Sequence, residues 1–150
     1  MAANRAGAAR RSPISVALAI LLGGLFICTG AIKVWDPILF ANEISNYHIL
    51  SWPLGVRLAF YLPWLEILCG LGLIVGFLRT GAVVILTGLT AIFITASIVA
   101  RMRGIDLSCG CFGSGGRWLG FTGHLVLDSA ILLGLLGIWW TTRGMRRGRK

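Results

Sequence analysis

Apolar residues in this chain fall into four runs, each long enough to cross a hydrocarbon core, which takes roughly 20 residues of helix. The first extends from about Ser15 to Val34 and meets no charge before Lys33. The second covers about Leu58 to Phe77 and contains one charge, Glu66. The third, about Thr80 to Ala100, has none. The fourth, about Leu119 to Trp140, contains His124 and Asp128. The pieces between Trp35 and Arg57 and between Arg101 and Trp118 are too short to fold alone. The pattern predicts an all-α membrane protein: one domain over residues 1–150, built as a four-helix transmembrane bundle with two modest loops on one side.

Composition agrees. Of 150 residues, 57% are hydrophobic and 13% charged, against about 25% charged in a soluble domain. That leaves too little polar surface for a water-exposed globule and excludes an ordinary soluble enzyme. The first span follows Arg5, Arg10 and Arg11. It outruns the roughly 7–15 residues of a signal-peptide core and ends without a clean small-residue cleavage site, so it is expected to be retained.

The formal net charge is +9, and its distribution predicts topology. Arg5, Arg10, Arg11, Arg79, Arg143, Arg146, Arg147, Arg149 and Lys150 fall on one side; Lys33, Arg57, Arg101, Arg103 and Arg117 fall on the other. The richer side is the cytoplasmic one. Both termini are therefore expected inside, in the cell inner (plasma) membrane. The basic tail is expected to meet anionic lipid headgroups, with no nucleic acid as partner. Trp35, Tyr47, Trp52, Tyr61, Trp64 and Trp118 lie near predicted span ends, as interface aromatics do. The Tyr47–Trp52 stretch with Pro53 is a candidate surface helix. Pro63 is expected to kink the second span near Glu66.

Against this background four features carry chemistry. Cys109 and Cys111 flank Gly110 in a glycine-rich loop before span four. A disulfide across one residue closes a small, strained ring, and strain favours exchange over stapling. An exchange-active pair, a static disulfide and a metal site are the alternatives. Two cysteines without a neighbouring histidine fall short of four zinc ligands, so no metal is expected. Glu66 lies nine residues beyond Arg57, about 13 Å deep at 1.5 Å per residue. His124 and Asp128 share a helix face at i, i+4. Lys33 lies just inside the outer end of span one, and spans one and two are antiparallel neighbours, so Lys33 and Glu66 can meet directly or through water.

Lys33, Glu66, His124 and Asp128 thus share the outer half of the bilayer with the Cys loop. Either they pair to fix helix order, or they line a polar pocket for a proton relay or a quinone-like headgroup. Cys28 and Cys69, inside spans one and two, read as inert small apolar residues. Gly23, Gly24, Gly70, Gly72, Gly76, Gly134 and Gly137 are expected to let helices pack closely.

Thr29-Gly30-Ala31-Ile32-Lys33, Leu62-Pro63-Trp64-Leu65-Glu66 with Gly70, and Cys109-Gly110-Cys111-Phe112-Gly113 followed by an aspartate in span four resemble the MauE/DoxX family of membrane proteins, over about residues 14–140. The Cys-Gly-Cys-Phe-Gly segment is the most specific part and points to the methylamine-utilisation MauE branch. The resemblance implies four membrane helices and a part in maturing a disulfide-rich subunit of methylamine dehydrogenase, beside a thioredoxin-like extracytoplasmic partner. It implies Cys109 and Cys111 as the redox pair, with Lys33, Glu66 and Asp128 as the intramembrane polar set. The family pattern has an arginine directly before the aspartate, where this chain has Leu127 and, a turn earlier, His124.

The expected function is thiol–disulfide exchange or support of disulfide maturation, as an oxidoreductase component whose electrons leave through a membrane acceptor such as a quinone. The rival readings are a non-enzymatic scaffold for an extracytoplasmic partner and a small proton-coupled transporter using Glu66. A second copy of the chain is a further candidate partner.

Overall fold

The computed structural model describes residues 13–76, 78–104 and 121–147, with side chains in the last segment from 122 to 142. Five helices form there: α1 (Pro13–Trp35), α2 (Pro37–Asn46), α3 (Trp52–Val75), α4 (Arg79–Met102) and α5 (Phe121–Arg147). Four of them, α1, α3, α4 and α5, are long and apolar enough to span a membrane. No strand occurs among the described residues.

The turns explain the boundaries. Asp36 caps α2, its Oδ1 accepting from the Leu39 amide at 2.9 Å, with Pro37 in the first turn; proline suits that position because its missing N–H has no helical partner there anyway. Gly76 ends α3 at φ 79°, and its amide bonds the Gly72 carbonyl. That left-handed position is one glycine takes without steric cost.

Two readings of the 35–57 stretch are corrected. It is not a loop: α2 occupies Pro37–Asn46, and α3 begins at Trp52, six residues before the expected span. The expected surface helix at 47–52 gives way to a turn, with Tyr47 buried. The charge of Arg57 does not interrupt α3, because its side chain is exposed. Pro63 is buried inside α3, which continues through it as one helix.

The spans pack in a ring: α1 against α3, α3 against α4, α4 against α5 and α5 against α1, with α2 laid on α3 and α1. The closest face is α1 on α3. A Cβ on Gly23 would lie 2.7 Å from the Gly70 carbonyl oxygen, one on Gly70 2.7 Å from that of Gly23, and one on Gly30 2.8 Å from that of Pro63. Gly23 and Gly30 are seven apart, as are Pro63 and Gly70, so two turns of each helix present the same seam. Gly24 and Gly137, expected at close contacts, face open space, and Gly72 meets Ala82 at an ordinary 3.8 Å.

The bundle has two distinct ends. At the end where α1 begins, the core is apolar: Leu22, Leu73, Val83, Leu86, Leu135 and Ile138 pack together. Arg79, counted with the basic residues of the cytoplasmic side, is buried and donates from Nη2 to the Ser15 carbonyl, tying the start of α4 to the start of α1. At the end where α1 finishes, α2 covers the bundle through a separate small cluster. Phe40, Ala41 and Ile44 there pack on Val56, Ala59, Leu62 and Phe93. α4 ends and α5 begins at this second end.

Candidate functional site

The polar residues of the membrane segments gather toward the Trp35 end, and the α1–α3 register explains how two of them meet. Gly30 faces Pro63. Lys33 lies three residues from Gly30 toward the Trp35 end, and Glu66 three residues from Pro63 in the opposite direction. Their backbones are therefore offset by about six residues, roughly 9 Å along the axis. Helical side chains lean toward their own N-terminus. In this antiparallel pair Lys33 leans inward and Glu66 outward, so the two converge.

Lys33 Nζ lies 2.7 Å from Glu66 Oε1 and 3.0 Å from Oε2. Lys33 is 7% exposed and Glu66 2%. Both oxygens of one carboxylate receive the ammonium, which compensates two charges removed from water; either one alone would be costly there. The ammonium also sits 4.9 Å from the Phe40 ring centroid and 5.2 Å from that of Phe93, within the range of cation–π attraction. Four elements, α1, α2, α3 and α4, thus converge on one nitrogen. With Gly30 facing Pro63, Glu66 lies about eight residues, roughly 12 Å, inward of the Trp35 end of α1, and the first turns of α3 extend past that end beside α2.

Beneath the pair lies a cavity of about 50 Å³, room for a few water molecules. Lys33, Glu66, Asp128, Thr29, Thr90 and Phe93 are among its lining residues, and all four spans contribute to it. Thr29 Oγ1 donates to the Phe26 carbonyl and Thr90 Oγ1 to the Leu86 carbonyl, which leaves hydroxyl lone pairs to accept from water. His124, one turn before Asp128, is buried. The structure therefore brings Lys33 and Glu66 into direct contact, sets Asp128 on the wall of the same cavity, and buries His124 in the first turn of α5.

Cys109 and Cys111 lie outside the described residues. Cys28 is exposed on α1 and Cys69 buried on α3, and no disulfide joins them. The sequence reading missed Phe40 and Phe93, which flank the ammonium. A signal for the α4 contribution was present: Thr90 and Phe93, at i, i+3, share one helix face in a span otherwise read only as apolar. For Phe40 there was none without α2.

The family model described as methylamine utilisation protein MauE matches residues 11–142. No curated protein and no solved structure matches the chain.

Proposed function

This chain belongs to the MauE family and is a multi-pass membrane protein, and from that premise we propose that Cys109 and Cys111 exchange disulfides with a thioredoxin-like protein on the extracytoplasmic face of the inner membrane. The observation that carries the reading is the Cys109-Gly110-Cys111 pair in the α4–α5 connection of a MauE chain. That connection joins the bundle at the same end as the Lys33–Glu66 pair.

The exchange balances without another reactant. The thiolate of one cysteine attacks the partner's disulfide, forming a mixed disulfide and releasing one partner thiolate. The second cysteine attacks the mixed disulfide, closing Cys109–Cys111 and freeing the partner's other sulfur. Two electrons pass to the partner, and the two protons lost by the pair end on the partner's thiols. Run in reverse, the same steps oxidise the partner. Arg101, Arg103 and Arg117 near the connection in sequence favour the thiolate. Asp128 and His124, at the start of α5, are groups through which protons move to and from that end of the bundle.

The test is the redox state of the pair in membranes, trapped by alkylation across a series of glutathione potentials. The reading expects titration near or above about −230 mV, with Cys109→Ser or Cys111→Ser capturing a mixed disulfide. A pair still oxidised below about −300 mV is a structural staple; it removes the exchange mechanism and leaves a scaffold that anchors an extracytoplasmic partner. The transporter reading has less support, because Glu66 is engaged through both oxygens by Lys33.

A further inference from the structure

We propose that the cavity between the four spans binds one small monovalent cation, held by Thr29, Thr90 and Asp128 beside the Lys33–Glu66 pair. This inference is independent of the thiol chemistry.

The hydrogen-bond polarity of the cavity wall carries it. Thr29 and Thr90 line the cavity and are both buried. Each hydroxyl directs its one proton to its own helix, Thr29 to the Phe26 carbonyl at 3.2 Å and Thr90 to the Leu86 carbonyl at 2.8 Å. What each has left is lone pairs. Asp128, on the same wall, adds a carboxylate, which only accepts when ionised. It has a further interaction of its own, and its two oxygens offer about four lone-pair sites, enough for that and an ion. The donor on the wall, Lys33 Nζ, already gives hydrogen bonds to both oxygens of Glu66. A cavity walled by acceptors suits an occupant that brings positive charge.

Charge and size set the class. Lys33 and Glu66 neutralise each other at 2.7 Å, so Asp128 is the carboxylate that anchors an added cation. One carboxylate and two hydroxyls fall short of the roughly 6–8 oxygens that calcium takes, and the neighbouring ammonium opposes a second positive charge. A volume of about 50 Å³ admits a bare alkali ion with a water, or an ammonium ion, and excludes bulky organic cations.

The helix register brings the ligands to one depth. A Cβ on Gly134 would lie 3.0 Å from Leu22 Cδ1, which sets α5 against α1. Toward the Trp35 end, Asp128 is six residues from Gly134 and Thr29 is seven from Leu22, so the two lie level. The Lys33–Glu66 pair ties α1 to α3, whereas α1 and α5 touch least among neighbouring spans. A cation shared by Thr29, Thr90 and Asp128 joins α1, α4 and α5 across that gap. An ion that binds the folded bundle stabilises it by mass action.

The test is thermal unfolding of the purified full chain in lipid bicelles at constant ionic strength. Sodium, potassium, ammonium or methylammonium replaces N-methyl-D-glucamine, a cation too large for the cavity. At least one of the four is expected to raise the midpoint saturably. A response to sodium or potassium alone assigns a bare ion, and one to ammonium or methylammonium alone assigns an N–H donor; either supports the site. Asp128→Asn is expected to abolish the response. Thr90→Val keeps the shape but removes the lone pairs, and is expected to weaken the apparent Kd about tenfold. Ser129→Ala, beside Asp128 but exposed and bonded to the Leu125 carbonyl, is expected to respond as the unsubstituted chain does. So is the chain with Cys109→Ser and Cys111→Ser, which separates this test from that of thiol exchange. A midpoint indifferent to the cation means that water alone fills the cavity and overturns the site. An undiminished response in both Asp128→Asn and Thr90→Val marks a general salt effect and overturns it too. If Asp128→Asn does not fold, Thr29→Val joins Thr90→Val, with the same weakening expected.

Discussion

The two ends of this bundle are built on opposite principles. At the end where α1 begins, Leu22, Leu73, Val83, Leu86, Leu135 and Ile138 fill the space between four helices, and the buried cation, Arg79, is tied to a backbone carbonyl of α1. At the end where α1 finishes, the centre holds an ammonium, a carboxylate, two aromatic rings and a cavity with room for water, under a ten-residue helix with its own separate cluster. The first end spends its interior on apolar packing. The second keeps charge and space where either is expensive in a membrane. The difference locates the part of the molecule that holds it together and the part that is available for chemistry.

The largest expected effect breaks the second end. Glu66→Gln strands the Lys33 ammonium, and breaking a buried pair by removing one partner costs about 3–5 kcal/mol. The double substitution Lys33→Met with Glu66→Leu is expected to recover most of that loss, because apolar replacement of a buried pair is often neutral. Unfolding of the purified protein in lipid bicelles measures both. If the double variant is stable but loses mixed-disulfide formation with its partner, the pair serves chemistry; if it retains both, the pair serves only to order the helices.

Next is the first end. Leu86→Ala leaves a hole in a well-packed core, at a cost of about 2–5 kcal/mol. Its signature is cooperative loss of the whole bundle, seen as one lowered thermal midpoint. Phe40→Ala, by contrast, is expected to loosen α2 while α1, α3, α4 and α5 remain assembled, so that limited proteolysis cuts between Trp35 and Trp52 before any other site.

The seam joining both ends gives a smaller effect. Gly70→Ala drives a methyl to 2.7 Å from the Gly23 carbonyl oxygen. Backbone cannot yield as a side chain does, and overpacking of this kind costs about 1–3 kcal/mol. Gly24→Ala, one residue along from Gly23 but facing open space, is expected to be neutral or to stabilise by up to about 1 kcal/mol through helix propensity. Equal effects of the two on unfolding would show that α1 and α3 do not meet through this seam.

Much of this was legible in the chain. The four apolar runs marked the spans, since length and lack of charge alone decide whether a helix crosses a bilayer. Lys33 and Glu66 stood out because ionisable groups in such runs are rare, and the antiparallel order of neighbouring spans made their meeting a fair expectation. Arg57 marks no boundary, because its side chain is exposed on a continuing helix, and the start of α2 is signalled only by the short Asp36-Pro37 pair. Nothing local shows that Arg79 reaches a carbonyl 64 residues away.

The sequence by itself determined the membrane class, the number of spans and the family resemblance, all of which depend on local composition or on short motifs. Only the tertiary structure decided which polar groups touch. It set Gly23 against Gly70 and Gly30 against Pro63, and that register let Lys33 reach Glu66. It placed Phe40 and Phe93 over the ammonium and left a cavity beside Asp128. Rotation and register between helices arise from side-chain shape across interfaces far apart in the chain, and hydropathy, which counts residues one at a time, does not encode them.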